Sequence, residues 1–117
     1  MIVDPVKRVE KPWGSELWVA VTDEYCLKLI VLHKGQRSSL QYHERKQEHI
    51  YIDAGLARIE STGPDGALHT DIVGPGTILE HKPGDLHRVE ALEEVRLFEV
   101  QTPHLDDVVR VEDDHGR

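Results

Sequence analysis

The stretch Gly35-Gln-Arg37-Ser-Ser39-Leu-Gln41-Tyr-His43-Glu-Arg-Lys46-Gln-Glu48-His-Ile50-Tyr-Ile52-Asp-Ala-Gly55 decides how the chain folds. Read as extended backbone, it places Arg37, Ser39, Gln41 and His43 on one face, because successive side chains of a strand alternate. After a short turn, Glu48, Ile50 and Ile52 share one side of a second strand. An amide, an imidazole and a carboxylate can therefore meet on one face. Outward from this pair the pattern persists, with strands expected at 16–22, 25–33, 48–53, 56–61, 68–73, 77–81, 86–91 and 95–102. In the run 25–33, Leu27, Leu29 and Val31 share one face and Lys28, Ile30 and Leu32 the other. Lys34-Gly35, Gly63-Pro64-Asp65-Gly66, Gly74-Pro75-Gly76 and Lys82-Pro83-Gly84-Asp85 are turn signals. Short strands at this spacing predict an all-β sandwich or barrel. Neither helical periodicity nor a nucleotide-binding glycine loop is present.

The chain of 117 residues is the size of one domain. Residues 1–14 are expected to form an irregular N-terminal arm, because Pro5, Pro12 and Gly14 interrupt regular structure. Within it, Trp13 is expected to plug one end of the core. Residues 15–117 are expected to form the barrel, with an acidic tail packed through Val108, Val109 and Val111. Six aromatic residues and a net charge of −8 argue against a nucleic acid or an anionic membrane surface as partner. A few cations in a cleft can still attract a small anion. Cys26 is the only cysteine, so neither an internal disulfide nor a cysteine-rich zinc site can form. No signal-peptide pattern and no apolar run near 18 residues occurs, so a soluble cytoplasmic location is expected.

Two half-motifs sharpen the reading. Gly35, five residues, Gln41, one residue, His43, four residues, Glu48, six residues, Gly55 resembles the first cupin motif, with glutamine in place of the usual first histidine. Gly76, five residues, Lys82, one residue, Gly84, two residues, His87 resembles the second motif, with Lys82 and Ala91 replacing the usual proline and asparagine. The resemblance implies a single-domain cupin, a double-stranded β-helix or jelly-roll barrel. More closely, the chain resembles type II mannose-6-phosphate isomerases, the cupin domain at the C-terminus of bifunctional mannose-phosphate enzymes. Lys11-Pro12-Trp13-Gly14, Arg37-Ser-Ser39-Leu-Gln41, His43, Glu48-His49, Glu99-Val-Gln101 and the tail from Asp107 to Arg117 carry that resemblance. Lys46 stands where those isomerases have arginine, Ile50 where they have tryptophan, and His115 where a tyrosine is typical. No pyrophosphorylase domain precedes this one, so nucleotidyl transfer is not expected.

What the resemblance implies is one divalent metal, zinc first with Mn, Ni, Co and Fe left open, held by Gln41, His43, Glu48 and His87. Glutamine is a neutral donor, so a divalent ion with one carboxylate ligand keeps a net charge of about +1 and stays a good Lewis acid. The implied reaction is aldose–ketose isomerisation of a sugar phosphate, with mannose 6-phosphate and fructose 6-phosphate as the first pair. Candidate acid–base groups are His49, Glu80, His81, Lys82 and Glu99. Strand parity puts Glu99 and Gln101 on one face. Candidate substrate-binding residues are Lys28, Arg37, Lys46, Gln101 and Arg110, with Arg37 supported by alternation from His43. Two other readings stay open: a metallocupin of different chemistry such as an oxygenase, and a non-catalytic metal-containing sugar-binding module. A homodimer is the expected assembly, since exposed strand edges invite pairing.

Overall fold

In the computed structural model, which describes residues 1–116, the turn signals separate eleven strands and no helix is found among the described residues. They are β1 (Lys7–Lys11), β2 (Gly14–Val21), β3 (Cys26–Leu32), β4 (Leu40–Tyr42), β5 (Glu48–Ala54), β6 (Ala57–Thr62), β7 (Leu68–Val73), β8 (Ile78–His81), β9 (His87–Ala91), β10 (Val95–Gln101) and β11 (Val109–Glu112). Two antiparallel sheets result, in the orders β1-β2-β3-β10-β5-β8 and β11-β4-β9-β6-β7. The chain passes repeatedly between the sheets, so neighbours in sequence seldom remain neighbours in a sheet. This is the all-β barrel expected from the spacing of turns.

The alternation that predicted the strands also builds the core. Along β3 the burial runs buried, half-buried, buried without a break, with Cys26, Lys28, Ile30 and Leu32 inward. Strand β10 alternates buried with exposed, with Val95, Leu97, Glu99 and Gln101 inward. The inward apolar residues Ile30, Leu32, Ile50, Ile52, Ile59, Val89, Val95 and Leu97 join Trp13 in one cluster. Trp13 is thus a core residue, as expected. Truncating Ile52, which is fully buried, to alanine would cost about 2–5 kcal/mol. Register arranges the six-stranded sheet in cross-strand rows. Glu16, Ile30, Leu97 and Ile52 form an inner row. The next row towards one end is Lys7, Trp18, Lys28, Glu99 and Ile50. Beyond it lie Cys26, Gln101, Glu48 and His81. One end of the core is apolar and the other carries ionisable groups.

Two expectations are corrected. Residues 1–14 are not an irregular arm throughout: Lys7–Lys11 is a strand paired with β2. The prolines only bound it, since Pro5 and Pro12 fall outside the five residues that need ladder hydrogen bonds. Pro12 and Trp13 form the two-residue turn, and Lys11 pairs with Gly14. A Cβ on Gly14 would lie 1.9 Å from the carbonyl oxygen of Val31, so only glycine lets β2 approach β3 there. Gly55 is held likewise: its φ of 97° suits the turn after β5, and a Cβ would meet the Glu94 carbonyl at 2.0 Å. The second correction concerns 37–43. Only Leu40–Tyr42 is regular strand, and Arg37 joins Glu90 through an isolated bridge. In the tail, Val109–Glu112 adds to the edge of the second sheet beside β4. Arg117, which ends the tail motif, lies outside the described residues.

Candidate metal centre

Two cross-strand rows from opposite sheets bring the site together. In the first sheet, Gln101 of β10, Glu48 of β5 and His81 of β8 are direct partners. In the second, Arg110 of β11, Gln41 of β4 and His87 of β9 are partners. Residues directly opposite in antiparallel strands project to the same face, so the two rows meet across the interior. His43 follows β4 and is 1% exposed. The ligand atoms of His43, Glu48 and His87 all lie within 4.8 Å of one another. Glu48 Oε1 is 3.0 Å from His87 Nε2 and 3.4 Å from His43 Nε2.

The proton positions on the two imidazoles follow from their other contacts. His43 Nδ1 donates to the carbonyl of Asp107 at 2.5 Å, and His87 Nδ1 donates to the carbonyl of Asp85 at 3.0 Å. A carbonyl only accepts, so each Nδ1 carries a proton and each Nε2 is the ring nitrogen that faces inward. Both Nε2 atoms and Glu48 Oε2 are buried without a hydrogen-bond partner. Ring nitrogens gathered around a carboxylate, each with its ring's other nitrogen anchored on a carbonyl, are arranged for a cation. These residues fit a divalent metal of mixed N and O coordination. Gln41 lines the same cavity, and its amide oxygen accepts the Ser39 hydroxyl at 2.7 Å. One lone pair of that oxygen stays available as a further donor.

The surroundings set the charges. Burial opposes ionisation of Glu48, but Glu99, His43, His81 and His87 outweigh it and hold its pKa well below the ordinary carboxylate value. Burial, and then the negative Glu48, push Glu99 well above that value, with Lys46 and Lys28 opposing. Glu48 is therefore the carboxylate of the pair and Glu99 the carboxylic acid. His81 is fully buried, and desolvation lowers its pKa, so its ring is neutral. It stacks on His87 at 4.0 Å between centroids and 7° between planes, while its Nδ1 donates to Glu48 at 3.2 Å. Lys46 donates to the Gln101 amide oxygen at 3.1 Å and lies 3.9 Å from Glu48.

Beside the cluster is a cavity of about 470 Å³, within the range of small-molecule sites. Gln41, His43, Glu48, His87, Glu99, Lys28, Lys46 and Arg110 line it. Gln101 is buried behind Lys46, and His81 backs the cluster. Other expected site residues lie elsewhere. His49 points to the outer face of β5 and pairs with Glu80 at 2.9 Å. Lys82 is exposed and pairs with Glu80 at 3.6 Å. Arg37 is held by Asp114, with Nη2 at 2.9 Å from Oδ1, and does not reach the cavity wall. The break in strand regularity at 37–39 removes the alternation that would have aimed Arg37 inward.

Asp107 supports the site from a loop, a role that its residue type does not reveal. Its carboxylate accepts backbone N–H bonds from Glu44 at 2.9 Å, Arg45 at 2.7 Å and Lys46 at 2.8 Å. Against a cost of burial, these bonds hold its pKa down to about 2. Side chain and carbonyl together fix both the 44–46 loop and the ring of His43. Nothing in residue type alone marks a loop aspartate for this work.

The fold and the buried histidine–carboxylate cluster define a cupin with a candidate metal centre. The chain also matches the family described as mannose-6-phosphate isomerase C-terminal over residues 3–113, and it belongs to that family. It is 32% identical to the mannose-1-phosphate guanylyltransferase ManC of Salmonella typhimurium, over 95% of this chain and 23% of that protein. It is 29% identical to the xanthan biosynthesis protein XanB of Xanthomonas campestris, over 95% of this chain and 24% of that one. The chain thus spans about a quarter of the length of these relatives. Among solved structures, KdgF from Halomonas sp. superposes with a TM-score of 0.72 at 20% identity, covering 80% of this chain and 83% of that chain. Oxalate decarboxylase from Bacillus subtilis gives 0.77 at 23% identity, covering 92% of this chain and 30% of that chain. At such identities these likenesses establish the shared double-stranded β-helix alone.

Proposed function

We propose that the protein is a metal-dependent aldose–ketose isomerase of a sugar phosphate, with mannose 6-phosphate and fructose 6-phosphate as the substrate pair. The observation that carries this reading is the adjacency of two groups: the inward-facing ligand atoms of His43, Glu48 and His87, and the buried carboxyl group of Glu99 on the wall of the same cavity. Gln41, His43, Glu48 and His87 would hold the ion, zinc being the first choice for this donor set. Such an ion supplies Lewis acidity towards sugar oxygens.

The chain's own residues account for the remaining chemistry. With the sugar ring open, the carboxylate form of Glu99 takes the proton from C2, and the resulting carboxyl returns it to C1. The O2 hydroxyl proton passes to O1, so the carbonyl moves from C1 to C2 and all atoms balance. A carboxyl whose proton is retained by burial and by Glu48 is a stronger base once ionised. Lys46, held between Gln101 and Glu48, orients the substrate from the cavity wall. His81 keeps Glu48 and His87 in place. An anionic sugar phosphate does not cross a bilayer unaided, so the proposed reaction places the protein in the cytoplasm. No helix among the described residues is long and apolar enough to cross a membrane.

We also propose a homodimer through the outer face of the six-stranded sheet. Leu17, Leu29, Phe98, Tyr51 and Ile78 form one cross-strand row there. The Arg96–Asp53 ion pair flanks this row on one side and the His49–Glu80 pair on the other. A two-fold axis along the row lays each flank over the other, so acid and base alternate around an apolar centre.

A coupled mannose 6-phosphate isomerase assay tests the function on metal-loaded protein, with metal-stripped protein as control. Turnover only in the loaded sample supports the reading. Stoichiometric metal and bound sugar phosphate without turnover would leave a sugar-binding module instead.

A further inference from the structure

The cavity that adjoins the candidate metal centre is lined by five cations, Lys7, Lys11, Lys28, Lys46 and Arg110, in a chain of net charge −8. They are not equivalent. Lys28 is buried and offset by Glu16 at 3.6 Å. Lys46 is engaged by Gln101 and Glu48. Lys7 and Arg110 differ from both: among the described residues neither has a carboxylate partner, and Lys7 only rests over the Trp18 ring at 4.1 Å.

Their positions in the fold give this difference meaning. Lys7 is on β1, the edge of the six-stranded sheet, and Arg110 is on β11, the edge of the other. Both edges contribute to the cavity wall, whereas the opposite edges β7 and β8 contribute nothing. The cavity therefore opens between β1 and β11, with unpaired cations on both sides of its mouth. Glu99, Lys28, Trp18 and Lys7 are successive cross-strand partners. This row leads from beside the metal cluster to the mouth, three strand spacings of roughly 4.8 Å away. On the facing sheet Arg110 is the direct cross-strand partner of Gln41, so a ligand anchored by oxygens at the cluster would extend past Arg110 on one side and towards Lys7 on the other.

We propose that Lys7 and Arg110 form the seat for the phosphate of a phosphorylated sugar whose other end meets the metal cluster. This deepens, and rests on, the sugar-phosphate reading above, and it gives the N-terminal strand a direct part in binding. Guanidinium forks match phosphate oxygens and the lysine adds a point charge. Because the seat lies at a solvent-exposed mouth, its contribution falls with ionic strength.

The test is equilibrium binding by calorimetry to metal-loaded wild type, Lys7→Ala, Arg110→Ala and the double variant. The probes are mannose 6-phosphate, mannose and mannuronate. Wild type should bind mannose 6-phosphate more tightly than mannose, and more weakly as salt is raised. Each single variant should lose about tenfold towards the phosphate ester and little towards mannose. Lys7→Arg should restore most of the loss, and metal content should stay unchanged in every variant. Equal affinity of wild type for mannose 6-phosphate and mannose would overturn the proposal. So would unchanged affinity in the double variant, or mannuronate binding as tightly as the phosphate ester. Binding that depends on Lys7 and Arg110 without isomerase turnover would sink the isomerase reading and leave the phosphate seat standing. Turnover with unaffected binding in the variants would do the reverse.

Discussion

His87 Nε2 lies 3.0 Å from Glu48 Oε1, and that contact joins strand β9 of one sheet to strand β5 of the other. Both side chains are buried, and the His87 nitrogen has no hydrogen-bond partner. Such an arrangement is costly by itself, since unpaired buried polar atoms cost about 1–3 kcal/mol each. A bound cation would turn that cost into stabilisation and tie the two sheets together.

Metal binding should therefore be read directly in stability. Glu48→Gln and His87→Ala should each lose stoichiometric metal by mass spectrometry. Both should also lose the rise in Tm that metal gives wild type. At a free metal concentration 100-fold above Kd that rise corresponds to about 2.7 kcal/mol. Chelator should lower the wild-type Tm and leave both variants unmoved. Full metal occupancy in both variants would show that the ligand set is wrong.

Glu99→Gln separates chemistry from metal binding. The amide keeps the shape of the side chain but cannot carry a proton, so kcat should fall by about 10²–10⁴ with metal content unchanged. His49→Ala and Lys82→Ala, on outer or exposed positions, should stay within about twofold of wild type. A Glu99→Gln protein with near-normal kcat would remove Glu99 from the proposed proton transfer.

Asp107 makes stability depend on acid. Its pKa of about 2 in the folded chain lies below the ordinary 3.8, so its contribution is fully present above about pH 4 and is lost as pH falls through about 2. Asp107→Asn should remove this acid-dependent step. It should also destabilise the protein by about 1 kcal/mol at neutral pH, a figure reduced because the group is partly solvated. Denaturant titrations from pH 2 to pH 7 on both proteins measure the difference. Parallel curves would contradict the assignment.

Phe98→Glu places a charge in the middle of the outer apolar row. If that face pairs two copies, sedimentation should move from dimer to monomer while the barrel's circular dichroism is retained. A dimer that survives Phe98→Glu and Tyr51→Glu together would have to use another surface.

Much of the fold could be read without coordinates because alternation has a strict period of two. Leu27 to Leu32 and Val95 to Gln101 each have one buried face, and a slip of one residue would expose it. The same parity correctly aligned Glu99 with Gln101, and the turn glycines set the strand ends. Strand β1 was hidden because prolines on both sides look like a broken segment, although Lys7, Val9 and Lys11 alternate towards the cavity. Arg37 was misplaced for the converse reason. Strand alternation does not extend through residues 37–39, where the chain makes only an isolated bridge.

By itself the sequence determined which residues can face inward together, since that follows from local geometry along each strand. It marked Gln41, His43, Glu48 and His87 as donors and identified the family through their spacing. Only the tertiary structure decided which inward rows face one another across the barrel. That depends on sheet order, which brings β5 opposite β4 and β9. It also decided that burial beside Glu48 pushes Glu99 above the ordinary carboxylate range, that Asp107 aims His43, and that Lys7 and Arg110 line one cavity. These are properties of distance and burial between segments far apart in the chain, and no local pattern encodes them.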